Sequence, residues 1–168
     1  MPGFNADQGS GYKIVGTAPP QYATGGASSA GGYTTTTGGT GTYAMLGLGQ
    51  TIKPLQTGKI CVTLDGFAQM AVAAAVGAGL VYGLAYGTGT APVNYGGLTG
   101  TVLGATSSFK YSVVPTSITN SDTPIGMDRV ALGLVPGTTY WFDVYATNYI
   151  PADRVNILNP TINLLETP

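Results

Sequence analysis

The stretch TYWFDVYAT, Thr139 to Thr147, alternates without a break. Tyr140, Phe142, Val144 and Ala146 fall on one parity, and Trp141, Asp143 and Tyr145 on the other. A period of two is the pattern of a β-strand, whose successive side chains point to opposite faces. Both faces here carry aromatic rings. The strand is therefore expected to be covered twice, by a second sheet and by another subunit or the N-terminal segment.

Seven more stretches read as strands: YAMLGLG (43–49), KICVTLDGFA (59–68), MAVAAAV (70–76), LVYGLAYG (80–87), SFKYSVV (108–114), DRVALGL (128–134) and VNILNPTINLLE (155–166). Turn chemistry separates them, in KPLQTG, GTGTAPVNYGGLTG, PTSITNSDTPIG, VPGT and NYIPAD. Eight strand candidates with no amphipathic helix among them predict an all-β sandwich or barrel. Met70 to Tyr86 is apolar enough to suggest a membrane span, but it holds Gly77, Gly79 and Gly83 and lacks basic flanks. Leu80, Tyr82, Leu84 and Tyr86 share one parity, which favours two short strands or one kinked strand over a buried helix.

The composition is unusual in one respect. Charged residues make up 8% of the 168, against about 25% in ordinary soluble domains. Such a surface gains little solubility from charge, so much of it is expected to lie against a partner. The six cations, Lys13, Lys53, Lys59, Lys110, Arg129 and Arg154, form no stripe, which argues against nucleic acid. Cys61 is the only cysteine and sits in an alternating run, as a small core residue would. The opening MPGFNADQG has no basic region followed by an apolar one, which argues against a secretory signal.

The first forty residues differ from the rest. TAPPQYATGGASSAGGYTTTTGGTGTY is rich in Gly, Ser and Thr and could not bury enough surface to offset its own ordering. Residues 1–42 are expected to form an extended arm that becomes ordered on a partner, and residues 43–168 the folded domain.

AYGTGTAP, Ala85 to Pro92, raises the question of a phosphate loop. A nucleotide-hydrolase loop needs a lysine, and none occurs between Lys59 and Lys110. A dinucleotide fingerprint needs an acid about twenty residues on, and none follows until Asp122. The stretch is expected only to turn the chain. With no histidine, Ser–His and Cys–His nucleophile systems are excluded, as are most zinc sites. Asp65, Asp143, Asp153 and Glu166 are isolated in sequence, and Asp122 and Asp128 flank what reads as a solvated turn. No catalytic residue, metal ligand or cofactor is expected, and the protein is read as non-enzymatic.

Three motifs occur in order: PLQTGKICVTLDG (54–66), YGTGTAPVNYGGLTGT (86–101) and LVPGTTYWFDV (134–144). Their succession resembles jelly-roll domains of tailed-phage virion proteins, found on capsid-decorating (cement) proteins, head fibres and tail-fibre tips. The resemblance covers roughly two thirds of the chain. It implies an antiparallel jelly-roll β-sandwich, assembled as a homotrimer on the exterior of a virion. The arm would dock on the major capsid protein or another virion protein, with no nucleic acid and no membrane involved. GLVPGTTYWFDVYAT also resembles a fibronectin type III turn and strand, but that domain needs an early-strand tryptophan and the only one here is Trp141. The alternative function is a trimeric fibre tip that binds a host receptor or glycan. Tyr82, Tyr86, Tyr95, Tyr111, Tyr145 and Tyr149 would then include its sugar-stacking platforms.

Overall fold

A computed structural model describes residues 22–26, 33–35, 42–72, 79–110, 122–149 and 154–168. The strands are β1 (Tyr22–Gly26), β2 (Tyr33–Thr35), β3 (Ala44–Met45), β4 (Gln50–Ile52), β5 (Ile60–Val72) and β6 (Gly79–Thr88). They continue with β7 (Thr101–Val102), β8 (Ser107–Lys110), β9 (Asp122–Ala131), β10 (Tyr140–Asn148) and β11 (Arg154–Glu166). No helix occurs among the described residues.

Two antiparallel sheets result. One has the order β1-β11-β5-β9, with β2 beside β1 on β11. The other has the order β3-β10-β6-β7, with β4 on β10 and β8 on β6. Taking β1 with β2, β3 with β4 and β7 with β8 as single positions gives eight positions along the chain. The first pairs with the last, the second with the seventh, the third with the sixth and the fourth with the fifth. That nesting is what results when one long antiparallel hairpin is rolled around a core, and it defines a jelly roll. The protein is an antiparallel jelly-roll β-sandwich.

Alternation sets the core as expected. Ile60, Val62, Leu64 and Ala68 of β5 face Leu80, Tyr82 and Leu84 of β6, and Tyr140, Phe142, Val144 and Ala146 of β10 lie in the same buried cluster. Tyr86 stacks on Phe142 at 5.5 Å, inside the sandwich. Arg129 closes an open side, donating from one guanidinium nitrogen to the Ala105 carbonyl at 2.7 Å.

Several expected boundaries move. The candidates at 59–68 and 70–76 join in one strand, β5, because β11 pairs with it as far as Val72 and β9 as far as Gln69; residues 73–76 lie outside the described residues. Of the 43–49 candidate only Ala44–Met45 is strand, the rest being the loop that leads to β4, which the sequence reading did not include. The candidate at 128–134 begins earlier, at Asp122, so the last five residues of the segment read as a turn are half of β9, and 115–121 lie outside the described residues. Of the 108–114 candidate, Ser107–Lys110 is strand and the remainder lies outside the described residues.

The described parts of the N-terminal segment are not separable from the sandwich. Tyr22–Gly26 pairs with Thr161–Leu165 and occupies the first position of the jelly roll. Thr35, Thr34 and Tyr33 pair with Val155, Asn156 and Ile157. The expected boundary between 42 and 43 therefore falls inside the sheet. Backbone pairing supplies here what side-chain burial could not.

Candidate functional site

The glycine loop covers the second sheet. Trp141, Met45, Ala85 and Tyr145 form a separate buried cluster on that sheet's outer face, with Ala91 packed against it. The chain leaves β6 at Thr88, and its return is tied to β3 by Met45 N–H donating to the Gly96 carbonyl and Tyr95 N–H to the Met45 carbonyl, at 2.8 and 2.9 Å. Trp141 lies against Gly87 and Gly100. A Cβ on Gly87 would sit 2.5 Å from the ring, and one on Gly100 closer still. The indole N–H donates to the Thr88 carbonyl at 3.2 Å. The stretch AYGTGTAP thus gives the tryptophan a slot and a lid. The expectation that a subunit or the arm covers this face is corrected: the chain's own loop does.

Two acids are buried, and backbone donors hold both. Asp143 is fully buried on β10, and its carboxylate accepts from Gly47, Leu48 and Val144 N–H at 2.9, 3.0 and 2.7 Å. Burial pushes its carboxyl up to about 6, against the pull of those three donors. Glu166, at the end of β11, accepts from the N–H groups of Leu55, Gln56, Thr57 and Gly58 between 2.7 and 3.2 Å. Burial pushes Glu166 up, yet the four donors together outweigh it and hold the carboxyl below its ordinary value. Each acid ties a loop to a strand, Asp143 the β3–β4 loop and Glu166 the loop before β5. Sequence spacing could not reveal this, since the partners lie about a hundred residues away.

The remaining acids stay apart. Asp122 and Asp128 lie on one strand rather than a turn, and six residues of extended chain separate them by about 20 Å. They cannot share one cation. Asp122 instead accepts from the Gln69 side chain at 2.9 Å. Asp65 is exposed on the outer face of the first sheet, across the sandwich from Asp143. Asp153 lies outside the described residues, and no group of three metal-ligating side chains occurs among those described.

The described tyrosines do not make a platform. Tyr82 and Tyr145 are buried, Tyr86 packs inside the sandwich, and Lys110 sits 3.9 Å over the ring of Tyr149. Tyr95 is 48% exposed, at φ 63° in the lid loop. Tyr111 lies outside the described residues.

Most exposed large apolar side chains among the described residues, Leu55 and Val135 aside, gather in two places. Val93, Tyr95, Leu98 and Val102 stand on and beside the lid. Phe67, Val130, Leu132 and Leu165, between 41 and 66% exposed, stand on the outer face of the first sheet. A shallow groove of about 470 Å³ runs between them, lined by Cys61, Val62, Thr63, Asp128, Arg129 and Val130. Cys61, expected in the core, is half-buried on this outer face because its parity is opposite to that of Ile60 and Val62.

No protein-family model and no curated protein matches the chain. Among solved structures, the Eiger TNF of S. frugiperda aligns over 90% of this chain and 94% of its own, with 11% identity and a TM-score of 0.45. The Gx strain of infectious bursal disease virus aligns over 98% of this chain and 40% of its own, with 17% identity and a TM-score of 0.29. The jelly-roll assignment rests on the strand pairing described above.

Proposed function

We propose that this is a structural, non-enzymatic virion protein: a homotrimeric capsid decoration (cement) protein that binds the major capsid protein on the shell exterior. One observation carries the reading. A chain with 8% charged residues exposes two separate apolar surfaces, on the lid and on the outer face of the first sheet. A decoration protein needs two such surfaces, one for its own copies and one for the shell. Contacts made without charge hold at any ionic strength, which suits a role of adding many small contacts over a lattice. The buried acids agree with this reading, because both serve as loop anchors and neither opens to a cleft.

Docking by the arm is assigned to the residues before Tyr22, since Tyr22–Gly26 belongs to the sheet. Co-sedimentation tests the role. Full-length protein added to capsid shells stripped of it should pellet with them, at the same occupancy in low and high salt. Recovery on tail appendages alone would assign the fibre-tip function instead. Recovery on neither would overturn the virion role.

A further inference from the structure

We propose that the outer face of the sheet β1-β11-β5-β9 is where one copy of this chain docks on a second copy. The inference deepens the assembly reading above and rests on it. The two sheets of the sandwich treat their outer faces differently. On one, Trp141 and Tyr145 are covered by the chain's own lid loop. On the other, β5 points Cys61, Thr63, Asp65 and Phe67 outward, and the described chain lays nothing across them. Register sets Leu165, Cys61 and Val130 side by side in one row, and Asn163, Thr63 and Asp128 in the next. Apolar side chains thus flank a groove whose floor is β5 and whose rim is Asp128 and Arg129.

The dimensions suit a second copy. Four strands at about 4.8 Å spacing and ten residues of β9 at about 3.3 Å give a face of about 600 Å². A specific interface needs about 500 Å² or more from each partner, so this face meets the requirement. The rows lie on strands already paired in the sheet, so no folding step must accompany docking.

The test uses the full-length protein. Sedimentation at micromolar concentration should show an oligomer for the wild type. Val130→Arg and Leu165→Arg each put a bulky charge into the apolar row of the docked face and should weaken association by about a hundredfold. Leu98→Arg, on the lid, should leave the oligomer intact. Alkylation of Cys61 should be slow in the oligomer and fast after dilution to monomer. That measurement needs no variant and stands even if an arginine substitution prevents folding. An oligomer that survives both face substitutions, or Cys61 equally reactive in both states, overturns the assignment of this face. If Leu98→Arg alone dissociates that oligomer, self-assembly stands and moves to the lid. A wild-type monomer with no affinity for shells overturns this inference and the assembly reading together.

Discussion

Trp141 shows how much a single side chain depends on what faces it. Its ring occupies space that only glycine leaves open, at Gly87 and Gly100. Gly87→Ala should therefore destabilise the fold by about 1–3 kcal/mol, because the new methyl group meets the ring of a packed aromatic. Denaturant titration followed by the lone tryptophan's fluorescence measures it, and an unchanged midpoint would remove the slot. Thr147 runs the other way. It is buried, and its hydroxyl has no hydrogen-bond partner. Thr147→Val should raise stability by about 1 kcal/mol, since the hydroxyl is desolvated without return; a loss of stability would show an unseen partner. That Trp141, Asp143 and Tyr145 share a face was legible from alternation alone. What covers them was not, because the lid reaches the face only after β3 and β6 have found β10.

Among the elements, β9 decides how the sandwich ends. It is the last strand of its sheet, ten residues long, and an open edge of that length invites strand addition. The edge is blunted residue by residue. The Tyr82 hydroxyl donates to the Gly126 carbonyl at 3.2 Å, and Arg129 donates to the Asp128 carbonyl at 2.8 Å. Those carbonyls mark the parity that faces away from β5, and Pro124 shares it, so the proline removes a donor from the open side and costs no ladder bond. Combining Pro124→Thr with Arg129→Ala should leave the fold intact and promote concentration-dependent aggregation with a rise in thioflavin fluorescence. A double variant as soluble as the parent would show that the edge needs no protection. The same residues explain why the sequence reading began β9 too late. Asp122, Pro124 and Gly126 are turn formers by propensity, and pairing with β5 overrides that preference.

At the scale of the whole molecule, the two buried acids give stability opposite dependences on pH. Asp143 has a folded value near 6, above its unfolded value, so the fold gains stability as pH falls through 6. Glu166 has a lowered folded value, so its contribution is present above its unfolded value and is lost as pH falls through the folded one. Thermal stability should peak at about pH 4 to 5 and fall as pH rises to about 6, and Asp143→Asn should flatten that fall. A wild-type profile that rises steadily to pH 8 would contradict the Asp143 assignment. The N-terminal segment gives the other whole-molecule test. Its composition reads as an arm, and composition alone could not show that Tyr22–Gly26 closes the jelly roll by pairing with β11. Two truncations separate the roles. Removing residues 1–20 spares β1 and should leave the melting temperature within a few degrees of the full chain, while binding to capsid shells falls. Removing residues 1–40 takes β1 and β2 as well and bares the backbone of β11 along both pairings. Unpaired donors and acceptors along a strand cost about 1 kcal/mol each, so this shorter chain should melt well below the first or fail to fold. If both truncations melt alike, β1 is dispensable and the jelly roll begins at β3. If the first still decorates shells at full occupancy, the residues before Tyr22 do no docking, and the lid must carry the contact with the shell.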